Sequence, residues 1–229
     1  MQYDMSKTMD ERIGAWIEQQ KGKDRAEKLA EKAKSITISR EFGCEGFALA
    51  EALKGLLDNA TGQEWTIFDR ELIERIHEEH KLAEEIIRTI GDKSNMLDSI
   101  YSTFAPFWKD ESDRFSMIVK TTLSVASEGN TIILGRGASI ITKDLPNCFH
   151  FRLIASQRYK IQAYMKMNKC GEKEAADIVN SKQDSRARFY KKFLNTDFAD
   201  IDSFHAVFNN EKIKLSIIAK AIFDIVQAH

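Results

Sequence analysis

The 229-residue chain lacks the features that mark several protein classes. Its three cysteines, Cys44, Cys148 and Cys170, form neither a close pair nor a metal-ligand spacing, which argues against a disulfide framework or a cysteine-bound zinc. No apolar run approaches the roughly 20 residues of a membrane span, and the first residues lack the apolar core of a signal peptide. We therefore expect a cytoplasmic protein with no membrane partner.

The chain also lacks an overall excess of positive charge, since its net charge is −1. We therefore expect no nucleic-acid partner. The basic residues are unevenly spread, because residues 152–192 contain eleven basic and four acidic side chains. Such a local excess suits a small polyanionic ligand, and the alternative is a solvated helix surface. RNA binding by the basic and aromatic cluster at 186–192 is disfavoured because the rest of the chain is not basic.

One segment has the layout of a phosphate-binding loop: Ile36-Thr-Ile-Ser-Arg-Glu-Phe-Gly-Cys-Glu-Gly-Phe-Ala-Leu-Ala-Glu-Ala-Leu53. A short β-branched strand turns through Gly43 and Gly46 into a helix, and backbone N–H groups at a helix start can bind phosphate oxygens. The Lys-Ser/Thr pair of the usual motif is missing, and Gly46 stands at the lysine position. Cys44, beside a helix N-terminus, is the candidate for a reactive thiol of lowered pKa.

Short apolar strands alternate with helices along most of the chain. We expect strands at Ile36–Ser39, Trp65–Phe68, Thr131–Leu134, Phe149–Ile154 and Ala206–Phe208. Helices are expected at 46–58, 70–80, several places in 81–125, 138–142, 156–168, 172–193 and 211–227. This alternation predicts a three-layer α/β/α fold with a five-stranded parallel sheet. Its ligands should lie at the carboxyl ends of the strands.

Residues 1–34 differ in composition from the rest of the chain. A short apolar stripe is followed by a helix-favouring segment of balanced charge. We predict a helical N-terminal extension over 1–34 and one domain over 35–229. A homodimer formed through the extension is one expectation.

Charged side chains follow three of the predicted strands: Arg40 the first, Asp69 and Arg70 the second, and Arg136 the third. Arginine suits phosphate because its guanidinium donates two parallel hydrogen bonds. Asp69 is also a suitable N-cap for the helix that follows. A histidine pair in His77-Glu-Glu-His80 lacks the spacing of a zinc protease site, so we predict no metal there.

Taken in order and spacing, these segments resemble the cytidylate kinase-like family, a branch of the P-loop nucleoside monophosphate kinases, over about residues 35–228. The resemblance is carried by Ile36-Thr-Ile-Ser-Arg-Glu-Phe-Gly43, Phe68-Asp-Arg-Glu-Leu-Ile73, Ile132-Ile-Leu-Gly-Arg-Gly-Ala138, Phe151-Arg-Leu-Ile-Ala-Ser156, Arg186-Ala-Arg-Phe-Tyr190 and Phe204-His-Ala-Val-Phe-Asn209.

The resemblance implies transfer of the γ-phosphoryl group of ATP, with Mg²⁺, to a nucleoside monophosphate, CMP or dCMP in the first place. The implied donor-phosphate residues are Arg40, Gly43, Cys44, Glu45, Gly46 and Phe47. The implied acceptor residues are Asp69, Arg70 and Arg136. The implied catalytic arginines are Arg136, Arg186 and Arg188, of which the last two would belong to a mobile lid over about 156–193.

The chain departs from the family pattern at three positions. Cys44 and Glu45 stand where this branch commonly has Ser and Gly, and Gly137 stands where cytidylate kinases carry an acidic residue. A carboxylate at position 45 is unfavourable near phosphates unless it points away from them or reaches the metal. The alternative interpretation is therefore a nucleotide-binding regulator or partner-binding module with an impaired phosphate loop.

Overall fold

A computed structural model describes residues 9–21, 33–78, 100–103, 112–135 and 137–229. The strands are β1 (Ser35–Arg40), β2 (Thr66–Phe68), β3 (Thr131–Leu134), β4 (Cys148–Ile154) and β5 (Ala206–Asn209). The helices are α1 (Met9–Lys21), α2 (Gly46–Thr61), α3 (Arg70–Glu78), α4 (Ser112–Glu128), α5 (Ala138–Ile141), α6 (Gln157–Asn168), α7 (Glu172–Leu194) and α8 (Leu215–Ala228).

The strands form one parallel sheet in the order β2-β3-β1-β4-β5. The central strand β1 pairs with β3 and β4, with Ile36 in register with Ile132 on one side and Phe149 on the other. Nearly continuous burial of these strands explains their β-branched and aromatic composition, because a parallel sheet is covered by helices on both faces. The predicted fold class is confirmed.

The two faces of the sheet pack against different helices. Helices α2 and α8 cover one face with leucine, isoleucine and valine side chains, and we call this the apolar face. Helices α1, α3, α4, α5 and α7 cover the other face, where the strands contribute several hydroxyl, imidazole and guanidinium groups. We call this the polar face. Both faces are shielded from solvent, which is the expected arrangement for a three-layer domain.

Helix α1 belongs to the packing of the polar face. Its Ile13, Trp16 and Ile17 are buried, and the indole of Trp16 meets Phe68 edge-on with ring centroids 5.6 Å apart. Arg12 Nη2 also donates a hydrogen bond of 2.7 Å to the carbonyl of Ile67. The apolar stripe of the N-terminal extension is therefore buried within the chain. The dimer stays a prediction, and it would need other residues of the extension.

The closing helix begins later than predicted, at Leu215 and not at Glu211. The reason lies in Asn209, whose side-chain oxygen accepts from the Glu211 N–H at 3.1 Å. The Asn209 carbonyl accepts from the Lys212 and Ile213 N–H groups, at 3.2 and 3.0 Å, which holds the segment in a turn. Asparagine commonly competes with helix in this way. Of the helices predicted within 81–125, the parts at 81–99 and 104–111 lie outside the described residues.

None of the helices in the described ranges is long and apolar enough to cross a membrane.

Candidate phosphate-binding site

The β1–α2 loop, residues 41–45, makes a tight turn between the central strand and the start of α2. Gly43 has a φ of +94°, which favours glycine, and a Cβ built there would lie only 2.7 Å from the Cβ of Lys160 on α6. The Cys44 N–H donates to the Glu41 carbonyl at 3.2 Å, which closes the turn. The glycine is therefore required both by the backbone conformation and by the contact with α6.

An ion pair ties this loop to α6. Lys160 Nζ lies 2.8 Å from Glu41 Oε2, and the two side chains are only 8% and 19% exposed. The Ala155 N–H also donates to the same carboxylate oxygen at 3.4 Å. Because the pair is largely shielded from water, loss of one partner would leave a charge without compensation. The pair therefore fixes the position of the loop relative to α6.

Glu45 is the N-cap residue of α2, yet its side chain makes no cap hydrogen bond. Its Oε2 instead accepts from the Tyr159 hydroxyl at 2.8 Å. Partial burial of that hydroxyl and its bond to the carboxylate raise the pKa of Tyr159 to about 12. The carboxylate is therefore drawn towards α6, and no side chain caps the first turn of α2.

The prediction of a reactive Cys44 is wrong. Burial, with the nearby charge of Glu41, raises the pKa of this thiol to about 11, and the opposing influence of Lys160 and Arg186 is smaller. The thiol is therefore protonated at neutral pH and is a poor nucleophile. Sequence alone indicated a helix N-terminus beside the cysteine, but it did not reveal the burial.

Arg40, the last residue of β1, extends between the start of α2 and the end of β3. The ideal Cβ position of Gly46 lies 3.1 Å from Arg40 Cδ and 3.2 Å from its Cγ. A Cβ on Gly135, whose φ is +74°, would collide with Arg40 Nη1. The arginine side chain therefore passes across two positions where the chain has glycine.

Helix α7 closes over the same region. Arg186 Nη1 donates to the Arg40 carbonyl at 2.7 Å, and its guanidinium lies 5.4 Å from the centre of the Phe42 ring. The Phe42 N–H donates to Gln183 Oε1 at 3.1 Å. Two side chains of the segment predicted as a lid, Gln183 and Arg186, therefore make hydrogen bonds to the backbone of Phe42 in the β1–α2 loop and of Arg40 just before it.

These elements enclose a cavity of about 320 Å³ at the carboxyl ends of β1 and β3. Its basic lining comes from Arg40, Lys182 and Arg186, and its aromatic lining from Phe42, Phe189, Tyr190 and Phe198. The size lies within the range of small-molecule sites, and the basic groups suit an anion. The edge of the sheet is the one at which an α/β fold usually binds its ligand.

A buried arginine, which the sequence analysis did not select, supports one wall of this cavity. Arg152 on β4 lies beside the cavity-lining Ser39 of β1. Its guanidinium lies 4.4 Å from the centre of the Phe198 ring, and its Nη1 donates to the Phe198 carbonyl. The available signal was an arginine in the interior of a strand that is otherwise apolar. Arg152 therefore fixes Phe198 and does not itself line the cavity.

The other predicted site residues are placed as follows. Arg188 is exposed and donates to Ser185 Oγ at 3.1 Å, outside the cavity lining. Asp69 caps α3, since its Oδ1 accepts from the Leu72 N–H at 2.8 Å, as predicted for an N-cap. Phe47 packs at the edge of the apolar core. Arg70 is the first residue of α3, but its side chain, like the whole of Arg136, lies outside the described parts of the structure.

Comparisons with known proteins agree with this architecture. The profile of the cytidylate kinase-like family matches residues 35–212. A crystal structure of an uncharacterized protein from Eubacterium ventriosum superposes with a TM-score of 0.68 at 16% identity, covering 87% of this chain and 100% of that one. A shikimate kinase from Bacteroides thetaiotaomicron superposes with a TM-score of 0.48 at 15% identity, covering 85% and 98%. At such identities the first likeness supports the fold alone. No curated protein matches the chain.

Proposed function

The chain belongs to the cytidylate kinase-like family, and from this premise we propose that it transfers the γ-phosphoryl group of ATP to a nucleoside monophosphate. The first acceptors to consider are CMP and dCMP. Family membership supports a kinase-like, nucleotide-dependent activity, and the choice of base is the finer part of the proposal.

The observation that carries the proposal is the cavity between the β1–α2 loop and α7. It brings Arg40, Lys182 and Arg186 to the carboxyl ends of two parallel strands. Phosphoryl transfer requires of a protein mainly that it position two substrates and place positive charge around the transferring group. The three cations that line the cavity, of which Arg40 borders Gly46 at the start of α2, would supply that charge.

We assign the parts of the site as follows. The glycine turn and the first N–H groups of α2 would bind the donor phosphates. Arg186, already in contact with the loop, would neutralise charge on the transferring group. The aromatic side chains of α7 would exclude water, so that hydrolysis does not compete with transfer. Asp69, Arg70 and Arg136 remain the proposed acceptor residues.

Magnesium would enter bound to ATP, as part of the substrate. Mg²⁺ usually keeps several waters and takes only one or two protein carboxylates, so no dedicated cage of ligands is needed. The described residues contain no group of three or more His, Cys, Asp or Glu side chains suited to a metal. Glu45, at the start of α2, offers a carboxylate beside the loop, with one oxygen engaged by Tyr159. Its other oxygen is our candidate for a contact with the substrate's metal.

A coupled assay with Mg²⁺ and ATP tests the proposal directly. CMP, dCMP, UMP, AMP and GMP would be compared as acceptors, with ATP hydrolysis measured in their absence as the control. We expect turnover with at least one of them, faster than the hydrolysis. No transfer to any of them by folded protein would reject the proposal.

A second candidate is a nucleotide-binding module with an impaired loop. It is favoured by Glu45, whose carboxylate borders the start of α2, and by the absence of a hydroxyl at position 44. The double substitution Glu45→Gly with Cys44→Ser separates the two candidates. A rise of kinase activity by orders of magnitude would favour the impaired loop. An active wild-type enzyme that the double substitution leaves unchanged would reject it.

A further inference from the structure

The side chain of Arg40 occupies the space that a side chain at position 46 would need. The ideal Cβ of residue 46 lies 3.1, 3.2 and 3.3 Å from Arg40 Cδ, Cγ and Nε. These separations are tighter than ordinary van der Waals contact, so even an alanine would push the arginine stem aside. Position 46 is the lysine position of the usual phosphate loop. A lysine there would therefore crowd the present course of the Arg40 side chain and require it to shift.

The guanidinium of Arg40 continues from Gly46 towards the end of β3, where it lines the cavity. Gly135 gives it room, because a Cβ at that position would collide with Arg40 Nη1. The arginine thus starts at the end of β1, passes Gly46 at the start of α2 and ends beside Gly135 after β3. Both glycines leave room for this one side chain, and the positive φ of Gly135 favours glycine independently.

Two other cations help to hold the loop and the end of β1 in place. Lys160 is paired with Glu41 at 2.8 Å. Arg186 donates to the Arg40 carbonyl, so that α7 holds the backbone at the base of the Arg40 side chain. Arg40 is therefore a cation held at its base beside the start of α2 and directed into the cavity.

We propose that Arg40 replaces the missing loop lysine and binds the terminal phosphates of a nucleoside triphosphate from the end of β1. Gly46 is glycine because a longer residue would displace that arginine. This inference rests on the proposed function in one respect, namely that the donor is a nucleoside triphosphate. A guanidinium also suits the role because it makes two parallel hydrogen bonds to phosphate oxygens.

The first test measures binding, independently of catalysis. Wild type and Arg40→Met, which keeps an unbranched stem and loses the charge, would be titrated calorimetrically with the non-hydrolysable analogue AMP-PNP and with AMP, both with Mg²⁺. We expect the Kd of AMP-PNP to rise about tenfold or more, and that of AMP to change by less than about twofold, since only the former has terminal phosphates. An unchanged Kd for AMP-PNP, or equal weakening of both ligands, would overturn the inference.

The second test places a lysine at position 46, where the usual phosphate loop has one. Gly46→Lys alone should weaken AMP-PNP binding by about fivefold or more, because two side chains then compete for one space. The double variant Arg40→Gly with Gly46→Lys should bind AMP-PNP about tenfold more tightly than Arg40→Gly. Gly55→Lys is the matched control, since it adds the same side chain to α2 where nothing lies within 4 Å. The proposal that a lysine at position 46 can replace Arg40 is contradicted if the double variant has the melting temperature of wild type but binds AMP-PNP no more tightly than Arg40→Gly. It is also contradicted if Gly46→Lys alone binds AMP-PNP more tightly than wild type.

A third test uses a pair of variants to ask whether the guanidinium of Arg40 lies beside Gly135. Gly135→Ala and Gly62→Ala both place alanine at a positive φ, +74° and +66°, but only the Gly135 position borders Arg40. We expect both to lower the melting temperature and only Gly135→Ala to weaken AMP-PNP. Equal effects of the two on binding would reject this part of the account.

Failure of the inference differs from failure of the proposed function. A wild type that binds AMP-PNP through Arg40 but phosphorylates no monophosphate rejects the kinase and retains the inference. An active wild type with unchanged binding in Arg40→Met rejects the inference alone. A folded wild type that binds no nucleotide rejects both.

Discussion

The two faces of the sheet differ in chemistry although they belong to the same strands. On β1, Ile36 and Ile38 pack on the apolar face, whereas Thr37 and Ser39 lie on the polar face. On β4, Phe149 and Phe151 pack with the isoleucines, whereas His150 and Arg152 lie on the other side. The cavity lies at the carboxyl edge of the sheet, and the polar face contributes Ser39 and the α7 side chains to its lining. Both faces bury apolar helix side chains, but the strands contribute mostly apolar side chains to one face and several polar groups to the other.

Buried polar groups are costly unless they are hydrogen-bonded. On the polar face, Thr37 Oγ1 and His150 Nδ1 share a hydrogen bond of 2.8 Å, and Ser35 Oγ donates to the Ala126 carbonyl at 2.7 Å. Arg152 lies against the Phe198 ring and donates to its carbonyl. These hydrogen bonds offset part of the cost on the polar face, although Arg152 Nε is buried without a hydrogen-bond partner among the described residues, as is Trp65 Nε1 on the apolar face. Substitutions near the cavity, on the polar face and away from it test this difference between the two faces.

The largest effect is expected at Arg186. Arg186→Met should lower kcat by about 10²–10³-fold while changing the acceptor KM much less, because a charge on the transferring group matters most in the transition state. Arg188→Met should cost less, since that side chain is exposed and outside the cavity lining. Lys173→Met, at the exposed start of the same helix, is the control for loss of charge. Equal losses at Arg186 and Lys173 would indicate a general electrostatic effect and contradict the assignment.

The second effect concerns the ion pair between the β1–α2 loop and α6. Glu41→Gln should lower the free energy of unfolding by about 3 kcal/mol, because it leaves Lys160 shielded and unpaired. Asp224→Asn, which breaks the exposed pair with Lys220, should cost less than about 1 kcal/mol. Urea unfolding measures both. If the two substitutions lower the free energy of unfolding equally, the loop is not fixed by a shielded ion pair.

The third effect is a pH dependence of stability that originates on the polar face. Burial, with a smaller contribution from the nearby His205, lowers the pKa of His150 to about 4. The unfolded chain therefore binds a proton before the folded one does, and stability falls as the pH drops from about 6.5 towards 4. We expect a loss of about 2 kcal/mol by pH 5 from this group.

Urea unfolding of wild type and His150→Gln at pH 7 and pH 5 checks this expectation. The fall in the free energy of unfolding between the two pH values should be about 2 kcal/mol smaller in the variant. His205→Gln is the control for the neighbouring imidazole, whose pKa burial also lowers. An identical fall in wild type and His150→Gln would mean that His150 is not buried in its neutral form.

The smallest effect is expected away from the polar face. Gly55 lies inside α2, and a Cβ there would meet nothing within 4 Å. Gly55→Ala should therefore raise the free energy of unfolding by about 0.5–1 kcal/mol through helix propensity alone. Nucleotide binding should stay unchanged. A change in binding would show that α2 couples to the cavity along its length, and the contrast between the two faces would weaken.

Much of the architecture could be predicted from local patterns. The strand at Thr131–Leu134 was predicted at its observed bounds, and the β1–α2 turn followed from Gly43 and Gly46 between a β-branched run and a leucine-rich helix. Asp69 was correctly predicted to be an N-cap, because an aspartate directly before a helix is enough to predict one. These features depend on residues that are close in sequence, so the sequence contains their physical cause.

What the sequence did not reveal depends on distant contacts. Glu41 and Lys160 are 119 residues apart, and Arg152 and Phe198 are 46 apart. No local pattern pairs them, since only the packing of α6 and α7 on the sheet brings them together. The same packing buries Cys44 and reverses the predicted direction of its pKa. The role of Gly46 was also hidden although Arg40 is close to it in sequence, because the course of the Arg40 side chain cannot be read from residue types.

A crystal structure with a bisubstrate analogue, in which the phosphate chain joins adenosine to cytidine, would show whether the cavity binds phosphate. We expect the phosphate chain to lie in the cavity at the carboxyl ends of β1 and β3, with its oxygens within hydrogen-bonding distance of Arg40 and Arg186. A phosphate chain bound elsewhere, with both guanidinium groups keeping their present contacts, would contradict this expectation.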